Sequence, residues 1–279
     1  NYVTTKTEME AITSGKTWGM FDDSHMEAEM NREGTEQPSI AEMTDKAIEL
    51  LSQDKDGFFL MVEGSQVDWA GHDNAPYYMV TDFIAFDDAV KVAVEFAEED
   101  GHTLVLVFAD HNTGGMTIGN YSTSYTDLTV EELMIPLKTE GDSSDIGWTT
   151  GGHTGGDVPL YAYGPKKPTG FLDNTELATC VADAFGFELE DVNEELFVEV
   201  DEAFPGMWSL DTTDAANPVL VINNGEVVAE LPVSKDILRI DGAEHDLEGI
   251  VVAVPMITDD AFIPDKYGND DVTKEPITA

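Results

Sequence analysis

The chain has 279 residues, of which 57 are Asp or Glu and 13 are Lys or Arg, for a formal net charge of −44. That balance argues against a nucleic-acid partner, because a phosphate backbone needs a basic face. No apolar run reaches the length of about 18 residues that a membrane-spanning helix needs, so no membrane span is expected.

The acids are interspersed with periodic apolar residues, which favours a solvated acidic surface over a disordered acidic tail. Such surfaces keep proteins soluble, and salt adaptation is one reading of this one. Cys180 stands alone, which excludes an intrachain disulfide and suggests a buried structural thiol. The chain opens at Asn1 on a polar run without a signal peptide, as expected of a processed or cropped terminus, and export stays open.

In chain order, residues 1–37 read as irregular and polar, with a short apolar patch at Trp18, Met20 and Phe21. Ser39 and Glu42 form a capping box, and Ile40, Met43, Ala47, Leu50 and Leu51 recur at helical spacing, so residues 40–52 are expected as a helix. Residues 58–62 are a continuous apolar run after Asp56-Gly57, which suits a strand buried on both faces. A polar loop follows, and then a long helix over residues 76–99 that Gly101 stops. Residues 103–108 (TLVLVF) read as a second buried strand.

Strand, long helix and strand in that order form a βαβ unit. The fold class expected is therefore α/β, a three-layer sandwich around a mostly parallel central sheet. Residues 116–150 read as an insertion holding one short helix capped by Thr129 and Glu132. A third strand at 159–163 and a helix from Asn174 or Thr175 to Gly186 complete this part. Beyond it, Asn224-Gly225 sits at the centre of a β-hairpin, and strand-like runs lie at 237–240 and 250–254. A boundary is expected in residues 211–217, dividing a catalytic domain over 1–210 from a small β module over 217–279.

Three clusters carry chemistry: Glu63 through Asp68, Trp69 and His72; Asp110-His111 before Asn112-Thr113-Gly114-Gly115; and His153 within Gly151-Gly152-His153-Thr154-Gly155. Sites in open α/β sheets form at the carboxyl ends of strands, where the first two clusters fall. Zinc accepts imidazole nitrogen and carboxylate oxygen, and catalytic sites keep a position open. Asp68 and His72 are four residues apart, so one helical turn can aim both at one ion. A carboxylate such as Glu63 is a hard oxygen donor and suits magnesium. Each cluster alone is weak, but three of the six histidines fall in them.

These segments resemble the bacterial alkaline phosphatase family. FLMVEGSQVDWAGHDN is similar to its F-x-x-V-E-G-x-x-I-D-x-x-x-H segment, VFADHNTGG to V-x-A-D-H-x-T-G-G, and WTTGGHTGGDVPLYAYGP to H-T-G-x-D-V-P-x-x-A-x-G-P. The likeness runs over roughly residues 18–186. It implies that Asp68, His72 and His153 hold a first zinc, Asp110 and His111 a second, and Glu63 a magnesium. Trp69 takes a position that varies in the family; a substrate-proximal role and a packing role both stay open. The resemblance further implies phosphate monoester hydrolysis through a phosphoserine, a homodimer, and a periplasmic or extracellular location.

The family's Asp-Ser-Ala nucleophile segment does not occur in this sequence, and Arg32 and Arg239 lie away from the motifs. The expectation is therefore a C-terminal part of a longer enzyme, inactive alone, whose partner is the N-terminal portion carrying the serine. Two alternatives remain. One is a phosphodiesterase or sulfatase of the same superfamily, against which the H-T-G-x-D-V-P segment counts. The other is a non-catalytic acidic metal-binding surface protein.

Overall fold

The computed structural model describes residues 1–118, 146–247, 249–253 and 261–264. The chain divides into two compact units, Asn1–Asn174 and Thr175–Ala279.

The first unit begins with short elements: β1 (Tyr2–Val3), α1 (Lys6–Glu10), β2 (Trp18–Gly19) and α2 (Glu29–Arg32). Val3, Met9 and Ile12 form a small buried cluster, with Phe21, Met43 and Leu50 packed on it. The segment expected to be irregular is thus tied to the next helix through a few apolar side chains. That helix, α3 (Ile40–Leu51), starts where the sequence places it. Ser39 Oγ accepts from the Glu42 N–H, and the Glu42 carboxylate accepts from the Ser39 N–H. Next come α4 (Gln66–His72) and α5 (Pro76–Asp100). Pro76 opens α5, where its missing N–H costs nothing, and Gly101 closes it at φ +73° in the left-handed conformation that favours glycine. α5 packs against α2, α3 and α4.

The strands of this unit are shorter than the sequence suggests. β3 (Val105–Val107) pairs antiparallel with β8 (Tyr161–Tyr163). β4 (Asn112–Thr113) pairs with β7 (His153–Thr154), and β5 (Thr117–Ile118) with β6 (Ile146–Gly147), both antiparallel. The only parallel pair among the described residues is β1–β2. Helices and sheets fit the α/β class; a mostly parallel central sheet is not seen among the described residues.

The reason is visible at residues 58–62. Phe58, Leu60 and Val62 are half-buried, while Phe59 and Met61 are 64 % and 67 % exposed. The run keeps the alternation of an extended segment with one face covered, and Phe58 reaches Phe96 of α5 at a ring distance of 6.0 Å. No ladder forms there, because a strand exists only through hydrogen-bonded neighbours and no described segment supplies one. The short helix expected at Thr129–Glu132 lies outside the described residues.

The second unit is opened by α6 (Asn174–Phe185), stopped at Gly186, and continues with α7 (Leu189–Leu196), β9 (Phe197–Glu199) and α8 (Val200–Ala203). Cys180 on α6 is half-buried rather than buried. A five-stranded antiparallel meander follows: β10 (Trp208–Asp211), β11 (Val219–Asn223), β12 (Val228–Pro232), β13 (Ile237–Ile240) and β14 (Ala243–Asp246). A second sheet joins β15 (Val252–Ala253), β16 (Ala261–Pro264) and β9. Val200, Leu220, Leu231, Leu238, Leu247, Val251 and Ile263 form one continuous core.

The Asn224-Gly225 hairpin forms as expected. Asn224 Oδ1 accepts from the Glu226 and Val227 N–H groups, and Gly225 takes φ +88°. The boundary expected at 211–217 is instead the loop between β10 and β11, which pair from Trp208↔Ile222 to Asp211↔Val219. Its Asp and Asn content marks a turn and not a domain linker: Asp214 accepts from the Ala216 backbone and from the Asn217 side chain.

Candidate metal centre

All three clusters lie in the first unit, and three elements bring them together. α4 presents Asp68 and His72 one helical turn apart, on one face. β4 and the segment before it carry Asp110, His111 and Thr113. β7 brings His153 beside Thr113 through the register Thr113↔His153.

Glycines permit this closeness. A Cβ on Gly71 of α4 would lie 2.9 Å from the Thr113 carbonyl oxygen and 3.0 Å from the Thr113 Cβ, so only glycine lets α4 seat on β4. Gly114 takes φ +79°, and a Cβ there would lie 2.7 Å from both the Gly71 carbonyl oxygen and the Trp148 ring. The Gly114 N–H donates to the Gly152 carbonyl at 2.9 Å, and the Thr149 N–H donates to the Gly114 carbonyl at 3.0 Å. These bonds hold the His153 loop against the Asp110 turn.

The resulting centre is compact. Ligand atoms of Asp68, His111 and His153 all lie within 4.8 Å of one another. His72 Nε2 stands 3.4 Å from Asp68 Oδ2 and 3.2 Å from His153 Nε2. His153 Nε2 is 3.7 Å from Asp68 Oδ1, and the His111 and His153 rings stack at 3.6 Å. Asp110 Oδ2 lies 3.1 Å from His111 Nε2, on a largely exposed side chain. His72 Nδ1 is 2.8 Å from the Gly151 carbonyl oxygen. A carbonyl only accepts, so Nδ1 carries the proton and Nε2 is left as the lone-pair donor toward the centre. Three imidazoles and two carboxylates make a donor set that fits zinc.

Of the six ligand candidates, Asp68, His111 and His153 form the group within 4.8 Å, and His72 and Asp110 each stand beside one of its members. Glu63 is exposed on the segment preceding α4 and is not in the group within 4.8 Å. Trp69 is 40 % exposed and meets the His25 ring edge-on at 4.6 Å. Gly151 and Thr113 stand inside the sequence clusters, but residue type alone gave neither a role of its own.

Comparison with known proteins points one way. A family model described as alkaline phosphatase matches residues 1–137, which include the first two clusters but not His153. Alkaline phosphatase 3 of Bacillus subtilis (strain 168) is 35 % identical over 246 residues, covering 68 % of this chain and 53 % of that protein. Among solved structures, the cold-active alkaline phosphatase of a psychrophilic Shewanella sp. matches with a TM-score of 0.50 at 28 % identity, over 59 % of this chain and 54 % of its own. A TAB5 alkaline phosphatase variant with Mg bound in its M3 site matches with a TM-score of 0.50 at 30 % identity, over 67 % and 53 %. The chain spans about half the length of the first of these relatives.

Proposed function

The chain belongs to the alkaline phosphatase family, and from that premise we propose that it carries the metal-binding portion of a phosphomonoesterase. The observation that carries this reading is the convergence of Asp68, His111 and His153 within 4.8 Å, with His72 and Asp110 at their sides.

In this reading Asp68, His72 and His153 hold one zinc, Asp110 and His111 a second, and Glu63 a magnesium at the edge. When bound, a zinc pair supplies Lewis-acid stabilisation of the charge that develops on phosphoryl oxygens. The chain's own residues do the positioning. α4 fixes Asp68 and His72 in one turn, the Gly151 carbonyl sets the tautomer of His72, and the β4–β7 ladder places His153. Trp69, 40 % exposed one residue from Asp68, is substrate-proximal in this reading. The serine phosphorylated in the family's reaction comes from an upstream segment or a separate chain, since this sequence contains no Asp-Ser-Ala segment. The same reading extends to a homodimer working in the periplasm or outside the cell.

Zinc titration of the purified 279-residue chain, with metal content read by elemental analysis, tests the reading. Two zinc equivalents are expected in the wild type, with loss of zinc in D68N and H153A. A wild type that takes up no zinc would overturn it. The isolated chain is expected to show no hydrolysis of p-nitrophenyl phosphate, and turnover there would remove the need for a separately supplied serine.

A further inference from the structure

Thr113 is one of four polar residues buried among the described residues, at 9 % exposure, and its side chain touches the centre. Its hydroxyl Oγ1 is 2.5 Å from Asp68 Oδ1 and 3.2 Å from His111 Nδ1. A hydroxyl has one proton to give and lone pairs to receive. A carboxylate only accepts, so the proton goes to Asp68. The hydroxyl oxygen then has only its lone pairs to offer His111, and the bond forms when His111 Nδ1 carries a proton. That leaves Nε2 of His111 as the lone-pair nitrogen, and it is Nε2 that lies 3.1 Å from Asp110 Oδ2.

We infer that Thr113 is a positioning residue that links the two zinc positions, orienting Asp68 for the first and fixing the tautomer of His111 for the second; this rests on the metal assignment proposed above. The relay runs one way, from His111 Nδ1–H to the Thr113 oxygen and from the Thr113 hydroxyl to Asp68. Its place is rigid on three sides. The Gly71 backbone packs on the Thr113 Cβ, the register Thr113↔His153 fixes its strand, and Asp68 stands on the helix seated above it. Among the described residues, no other side chain in the centre bonds ligands assigned to both zincs through a single atom. Polar partners behind metal ligands commonly change metal affinity by about 10–100-fold when removed.

Two variants of the full chain separate a positioning role from a packing role. T113V keeps the shape and the β-branch but removes the hydroxyl, whereas T113S keeps the hydroxyl and removes a methyl. Competition titration against a chromophoric chelator is expected to show zinc bound about 10–100-fold more weakly in T113V, for both equivalents, and near wild type in T113S. Long-range 1H–15N spectra of the metal-free, histidine-labelled chain give an independent readout, with His111 assigned by the signal lost in H111Q. The Nδ1-protonated form is expected in wild type and T113S, and a mixture of tautomers in T113V.

Unchanged zinc affinity together with an unchanged His111 tautomer in T113V would overturn the inference, as would a T113S variant as defective as T113V. If T113V does not fold by far-UV circular dichroism, T113A lacks the same hydroxyl and carries the same readouts. If the wild type itself binds no zinc, the proposed function falls, and the tautomer comparison still decides whether Thr113 directs His111.

Discussion

The two units are held together by different means. In the second, the core is aliphatic and complete: Val200, Leu220 and Val251 are fully buried, with Leu247 and Ile263 within 2 % of it. In the first, the buried apolar residues are few or small, such as Val3, Ile48, Ala70, Ala89 and Ala97, while Phe59, Met61, Phe83 and Tyr161 face outward. All four buried polar residues among the described residues, Gln37, Thr44, Asp82 and Thr113, belong to the first unit. Polar tethers take the place of a large core there. Gln37 receives the Glu27 N–H and donates to Asp22, Asp82 receives the Glu29 N–H, and Lys46 donates to the Ile12 carbonyl. The unit that carries the chemistry is therefore the one whose geometry depends on hydrogen bonds. Burial is forgiving of direction and hydrogen bonds are not.

This contrast can be broken at three strengths. The largest effect is expected in the second unit, where L220A removes a fully buried side chain from a closed core and should cost about 2–5 kcal/mol in denaturant unfolding. A loss below about 1 kcal/mol would mean that this core is not close-packed.

A middle effect is expected from S39A in the first unit. It deletes one half of the capping box on α3 while the Glu42 half remains, and should cost about 0.5–2 kcal/mol, seen as a lowered melting temperature. No change would show that the tethers around α3 are redundant.

The smallest effect has the opposite sign. Burial pushes the Asp82 carboxyl above its usual range, with the nearby Glu29 charge adding to the rise, against the bond from the Glu29 N–H. A raised carboxyl favours the folded state most below the unfolded pKa of about 3.9, and that contribution is lost as the pH rises through the folded value. At neutral pH the ionised form costs stability. D82N keeps an acceptor for the Glu29 N–H and removes the charge, so its melting temperature at pH 7 should be equal to or slightly above that of the wild type. The gap should close as the pH falls toward 4. A clear destabilisation at pH 7 would mean that the Asp82 charge is itself part of the tether, through Arg32.

What was legible in the sequence follows the range of the interactions involved. The capping box at Ser39, the stop at Gly101 and the Asn224-Gly225 hairpin are decided within four or five residues, and each formed where the sequence placed it. The five candidate ligands that converge stood out because three of the six histidines fall in short clusters with carboxylates and glycines. Residues 58–62 were not, because an apolar run becomes a strand only when another chain segment offers a ladder. The Asp211 loop misled because a turn and a linker share the same residues, and only the pairing of β10 with β11 tells them apart.

The sequence by itself thus determined the local signals and the candidate ligands, since both are written in residue type and spacing. The tertiary structure alone decided that α4, β4 and β7 meet, because that depends on Gly71 and Gly114 letting backbones approach to within a side chain's width. It also decided which nitrogen of His72 points inward, a matter settled by a carbonyl 79 residues away. The same holds for Thr113: its hydroxyl is unremarked in sequence, and acquires direction only where both Asp68 and His111 reach it.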